Sequence, residues 1–190
     1  MTTLHDLSVR LAVGAALAGM LSPAMASPGG AGHVHDIGEP AGVTPATRTI
    51  EIELGDSFYR PATVEVRAGE AIRFILTNTG ELLHEFNIGT AAMHADHRKE
   101  MQAMTDAGML TATAVVTDPT KMDHGKMGHG SGHAMGHGMM KHDDPNSVLV
   151  GPREKKELVW KFPSRTQLEF ACNVPGHYEA GMVGEVEFRN

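Results

Sequence analysis

Cys172-Asn173-Val174-Pro175-Gly176-His177-Tyr178-Glu179-Ala180-Gly181-Met182 is the most informative stretch of the chain. It holds the only cysteine in 190 residues and sets a thiolate, an imidazole and a thioether at the spacing Cys-x4-His-x4-Met. Pro175-Gly176 turns the chain just before the imidazole. Two imidazoles and a thiolate in a trigonal set, with a weak axial thioether, form a donor set suited to copper. One imidazole is missing from the loop. Its obvious source lies upstream, in Leu82-Leu83-His84-Glu85-Phe86-Asn87-Ile88. His84, Cys172, His177 and Met182 together read as a mononuclear copper site. Taken singly, each has a bland reading: an idle thiol or half of an intermolecular disulfide for Cys172, packing or surface for the others. The ordered trio within one short loop favours the metal.

Working outward from the loop, the chain reads as strand after strand. Leu168-Glu-Phe-Ala171 leads into it and Val183-Gly-Glu-Val-Glu-Phe188 follows it. Lys156–Phe162 alternates apolar and polar residues, as do Ile50–Leu54, Thr63–Arg67 and Ala71–Asn78, the mark of half-buried strands. Residues 82–88 form the strand bearing His84, and Ser147–Val150 forms another short one. Short strands between regular turn signals predict an all-β chain, a Greek-key sandwich or barrel. It occupies one domain, residues 47–190, interrupted by an insertion at 90–146.

That insertion is rich in Met, His and Gly. In the stretch 91–110 a helix is expected, with Met93, His97, Met101 and Met104 near one face. This stripe reads either as packing against the sandwich or as auxiliary copper ligation. Beyond it, Met122, His124, Met127, His129, His133, Met135, His137, Met139, Met140 and His142 recur among glycines. Such a composition cannot build a packed core. Its thioethers favour Cu(I), and its imidazoles also accept Cu(II), zinc and nickel. These residues are read as auxiliary copper ligands, with no particular subset singled out.

The N-terminus reads as a targeting segment. Arg10 precedes the apolar run Leu11–Leu21, and Ala24-Met25-Ala26 offers a small-x-small cleavage site. Residues 1–26 are therefore expected to be a signal peptide, and residues 27–46 a flexible lead-in. The run is too short to span a bilayer. Export to the periplasm, with no stable membrane insertion, is the expected location. A formal net charge of −7 argues against nucleic acid as a partner. One cysteine precludes an intrachain disulfide.

On Phe58-Tyr59-Arg60-Pro61, Val66–Glu70, Phe74-x3-Asn78, His84-x-Phe86 and the loop from Cys172 to Met182, the chain resembles the cupredoxins of the plastocyanin/azurin superfamily. The resemblance covers about residues 47–89 and 147–190. It implies a type 1 blue copper centre, with His84, Cys172 and His177 equatorial and Met182 axial. Many relatives place Asn or Asp after the first histidine, where it ties the ligand strand to the ligand loop. Glu85 stands there in this chain, which leaves the brace and the redox potential open. The His/Met-rich insertion resembles that of exported copper-tolerance cupredoxins.

The expected function is therefore copper binding and handling in tolerance or homeostasis, through a redox-active Cu(I)/Cu(II) centre. Copper ions are the implied partners, with a periplasmic redox protein, exporter or chaperone beside them. The alternative is a shuttle passing single electrons between redox proteins. An oxidase or nitrite reductase is disfavoured: such enzymes use several cupredoxin domains and His-Cys-His arrangements, whereas Ala171 and Asn173 flank the cysteine here. No enzymatic activity is expected.

Overall fold

The computed structural model describes residues 36–116, 144–163 and 165–189. Its elements are β1 (Glu39–Pro40), β2 (Arg48–Gly55), β3 (Phe58–Arg60), β4 (Thr63–Val66), β5 (Ala71–Asn78), β6 (His84–Gly89), α1 (Ala91–Asp106), β7 (Ser147–Val150), β8 (Lys155–Lys161), β9 (Leu168–Ala171) and β10 (Val183–Phe188). The strands form two five-stranded sheets, ordered β1-β8-β5-β2-β3 and β4-β10-β9-β6-β7. Two neighbouring pairs are parallel, β2 with β5 and β4 with β10. Parallel neighbours need a long crossover, and between β2 and β5 the second sheet supplies it. After β3 the chain leaves the first sheet across the cis Arg60–Pro61 bond and enters the second as β4. Each sheet keeps two edge strands, so the described residues form a two-sheet sandwich rather than the closed barrel that the sequence also allowed.

Alternation along the strands builds the core. In β5, Ile72, Phe74, Leu76 and Asn78 point inward while the residues between them are only half-buried. Phe74 meets Phe86 with ring centroids 5.1 Å apart, and Phe86 meets Phe170 at 5.2 Å. Trp160, Ile52 and Leu54 complete the same buried cluster. Gly184 on β10 allows the closest approach. A Cβ there would lie 2.1 Å from the Phe170 ring and 2.9 Å from the Ala62 carbonyl oxygen. Gly184→Ala must therefore push a core ring aside. A loss of roughly 1–3 kcal/mol is expected, read as a lower denaturant midpoint at unchanged slope.

Part of the lead-in lies within the described residues. Glu39–Pro40 pairs with Lys161 and Trp160 of β8, and the indole Nε1 of Trp160 donates to the Ile37 carbonyl at 2.8 Å. Residues 27–46 are thus docked on the sandwich in their second half, from Ile37 onward. The signal-peptide segment 1–26 lies outside the described residues, as does the tract from Met122 to His142.

The insertion begins as structure of its own. Thr90 caps α1 by accepting from the Met93 amide at 3.3 Å. Gly108, at φ 73°, turns the chain out of the helix, and the Met109 amide donates to the Met104 carbonyl. His94, Met101 and Met104 form the buried face of α1, and the two methionines join the hydrophobic core. The helix lies over the outer face of the second sheet. That cover explains β6, whose six residues are all buried. His84, Phe86 and Ile88 share one face of the strand by its period of two. Glu85 and Asn87 share the other, sealed from water beneath α1.

Candidate metal centre

The centre forms where β6 begins and β9 ends. Antiparallel pairing sets Asn87 opposite Ala171, which brings His84 and Cys172 together at the same end of the sheet. The loop after β9 then folds back on itself. The His177 amide donates to the Val174 carbonyl at 3.0 Å, the Met182 amide to the His177 carbonyl at 3.0 Å and the Cys172 amide to the Met182 carbonyl at 3.1 Å. Gly176 (φ 87°) and Gly181 (φ 93°) take the left-handed conformations that this fold-back requires.

The ligand atoms of His84, Cys172 and His177 all lie within 4.8 Å of one another. Nδ1 of His84 is 3.2 Å from Nδ1 of His177, which is 3.3 Å from Sγ of Cys172. His84, Cys172 and Met182 are fully buried, whereas His177 is half-buried. The loop bonds hold the Met182 backbone against those of Cys172 and His177.

The chemistry of the donors fits a soft cation. Burial pushes the Cys172 thiol up to about 12, so the thiolate needs a bound cation to replace its proton. Burial lowers both His84 and His177, which keeps the imidazoles neutral with lone pairs to donate. The Glu85 amide points at Sγ from 3.3 Å, a donor that stabilises negative charge on sulfur.

Glu85 resolves the departure noted in the sequence. Its carboxylate is fully buried, and Oε2 accepts from the Asn173 amide at 3.1 Å and from Asn173 Nδ2 at 2.8 Å. Glu85 thereby ties the ligand strand to the ligand loop. Oε1 accepts from Ser147 Oγ and from His97 Nε2 at 3.0 Å. The backbone carbonyl of Glu85 accepts from the Tyr59 hydroxyl. His97 bears on Glu100 and Asp144 through its other nitrogen, at 3.1 and 3.7 Å. Burial alone would lower His97, but Glu85 and then Glu100 raise it to about 9. That favours the imidazolium form at neutral pH, half-buried against a fully buried carboxylate.

The auxiliary residues expected on α1 make contacts of their own. His97 holds Glu85, Met101 and Met104 fill the core, and Met93 is half-buried at the edge of the helix face. None of them belongs to the cluster of His84, Cys172 and His177, the one such group of His, Cys, Asp or Glu side chains among the described residues. The remaining auxiliary set, Met122 to His142, lies outside the described residues.

Three residues at the centre escaped the sequence reading. Asp56, at the tip of the β2–β3 hairpin, has Oδ1 2.9 Å from Nε2 of His84. Asn173 links Glu85 to Nδ1 of His94, 3.2 Å from its amide nitrogen. His94, lowered by burial, sits neutral under the helix. Only Asn173 carried a signal, through its place next to Cys172.

The two-sheet sandwich and its His-Cys-His cluster, together with the relatives that follow, place the chain among cupredoxin-superfamily, copper-associated proteins. The fold is similar to that of a dithionite-reduced auracyanin from Roseiflexus castenholzii, with a TM-score of 0.51 at 20% identity over 76% of this chain and 99% of that one. No protein-family model matches the sequence. Whole-chain relatives narrow the class. The chain is 56% identical to the copper-resistant cuproprotein CopI of Pseudomonas aeruginosa, over 86% of each protein. It is 35% identical to the CopI of Rubrivivax gelatinosus, over 83% of this chain and 78% of that protein. The chain belongs to the CopI cuproprotein family.

Proposed function

We propose that this chain is an exported copper-binding protein of the cell envelope that confers copper tolerance, with residues 1–26 as its leader. His84, Cys172 and His177 would hold one copper, with the Met182 thioether as a weaker fourth donor. The convergence of two imidazole Nδ1 atoms and one thiol in a buried cluster carries this reading. The copper resistance in the names of the family's members supports it. Copper bound there would supply one-electron exchange between Cu(II) and Cu(I). The chain's own part is to keep the donors fixed and dry. Glu85 and Asn173 lock strand to loop, the Glu85 amide stabilises the sulfur, and buried Phe86 and Met182 exclude water. The His/Met tract captures further copper in this reading.

A second reading, electron shuttling, draws on one observation: His177 alone among the three cluster residues is half-exposed, which offers a route for outer-sphere electron exchange.

The test is growth of a strain lacking the chain, complemented by the wild type, by Cys172→Ala or by a version without residues 121–142. Loss of the chain is expected to lower the tolerated copper concentration several-fold and to leave respiration at trace copper unchanged. Neither variant should restore full tolerance. Unchanged tolerance, with respiration lost at trace copper, would replace this reading by the electron shuttle.

A further inference from the structure

The outer nitrogen of His84 faces a carboxylate that is itself held in place. Asp56 follows Gly55 at the end of β2, and Ser57 completes the two-residue hairpin with φ 80°, a conformation that non-glycine residues rarely adopt. Such backbone outliers are retained where the surrounding structure demands a particular placement. Here the demand comes from the loop before β6. Both carboxylate oxygens of Asp56 accept from the Glu81 amide at 3.2 Å, and Oδ1 also accepts from the Leu82 amide at 3.3 Å. Gly80 leaves room for it, since a Cβ at that position would lie 2.1 Å from Oδ1. Asn78 shapes the same turn, accepting from the Gly80 amide at 2.9 Å and donating to the Leu82 and Val150 carbonyls at 2.8 and 2.9 Å. Oδ1 then stands 2.9 Å from Nε2 of a fully buried imidazole.

We propose that Asp56 is the positioning residue of the metal centre: its carboxylate fixes the tautomer and ring plane of His84 and biases bound copper toward Cu(II). The reasoning follows from the partners. A carboxylate accepts only, so Nε2 carries the proton and Nδ1 is left with its lone pair toward Cys172 and His177. The hydrogen bond a histidine makes through one nitrogen decides what the other can ligate. A charged acceptor also makes the imidazole a stronger donor than a neutral one would. The negative charge is felt more by the dication than by the monocation. Asp56 is partly exposed, so solvent weakens this second effect without removing it.

The inference rests on the copper reading above, and the experiment separates the two. Reduction potential and visible spectrum are measured on copper-loaded wild type, Asp56→Asn and Asp56→Ala. The imidazole ¹⁵N shifts of His84 are measured on the copper-free proteins. In Asp56→Asn the amide oxygen keeps the hydrogen bond and the charge is lost. The band should persist while the preference for Cu(II) over Cu(I) falls about tenfold, which is about 59 mV upward for one electron. In Asp56→Ala the copper affinity should fall about 10–100-fold, and the copper-free ¹⁵N shifts should change from the single Nε2–H tautomer to a mixture. An unchanged potential in Asp56→Asn overturns the charge bias. Unchanged tautomer shifts in Asp56→Ala overturn the positioning role, even if a variant loads copper poorly. A wild type with no Cys172-dependent band overturns the copper reading itself and the potential argument with it.

Discussion

Cu(II) added to the Cys172→Ala protein should give only weak colour, where the wild type should give an intense thiolate-to-copper band. The expected loss is complete, because no other side chain in the cluster can supply a charge-transfer sulfur of that kind. Met182 contributes a thioether, and His84 and His177 contribute nitrogen. The fold should survive the change. Cys172 is buried as a small apolar group, and its backbone amide still reaches the Met182 carbonyl. Visible absorption and far-ultraviolet circular dichroism, recorded on the same sample, separate loss of the centre from loss of the fold. Equal colour in both proteins would assign the metal to other residues, with the Met122–His142 tract first among them.

The second large effect is on stability. His97→Leu should destabilise the protein by about 3–5 kcal/mol, the usual cost of leaving one partner of a buried ion pair alone, and lower Tm by roughly 10 °C or more. Glu85 cannot escape to water, and Asn173 and Ser147 satisfy its oxygens without neutralising its charge. A pH series identifies the cause. Folded His97 keeps its proton to about 9, whereas the unfolded imidazole releases it near 6.5. Its stabilisation is therefore complete below about pH 6.5 and is lost as pH rises through 9. Wild-type stability should fall over that window by on the order of 3 kcal/mol, and the His97→Leu protein should lack this fall. A variant that parallels the wild type across the window would place the destabilisation in lost packing rather than lost charge.

Much of the sandwich was legible because its strands obey one local rule. Ala71–Asn78 and Val183–Phe188 match the alternating or turn-bounded runs of the sequence residue for residue. β1 and β3 were not legible. Two or three residues are too few to show a period, and Glu39–Pro40 is a strand only because Trp160 and Lys161 lie beside it. That His84, Cys172 and His177 come together was readable from spacing and side-chain chemistry. Their supports were not, because each depends on a tertiary contact. Glu85 was visible in sequence only as a departure that left the brace open, because its burial depends on α1 covering it. Asp56 carried no signal in sequence, because its contacts come from the distant loop at Gly80–Leu82. The Met stripe of α1 was ambiguous, since one helical period serves packing and ligation alike. Tertiary burial assigns Met101 and Met104 to packing.

Helix α1 also grips the outside of the metal loop. The Arg98 guanidinium stacks over the Tyr178 ring, 4.1 Å from its centroid, and reaches the Glu179 carboxylate at 2.7 Å. Tyr178 in turn donates to Glu169 at 2.8 Å. The loop is thus clamped to α1 by contacts that involve no metal. A zinc finger spends its binding free energy on folding, but here the conformational entropy of the loop is already lost when the helix docks. Copper held there would bind with an affinity set by the donors rather than by the ordering of the chain, and would load and leave without passing the protein through an unfolded form.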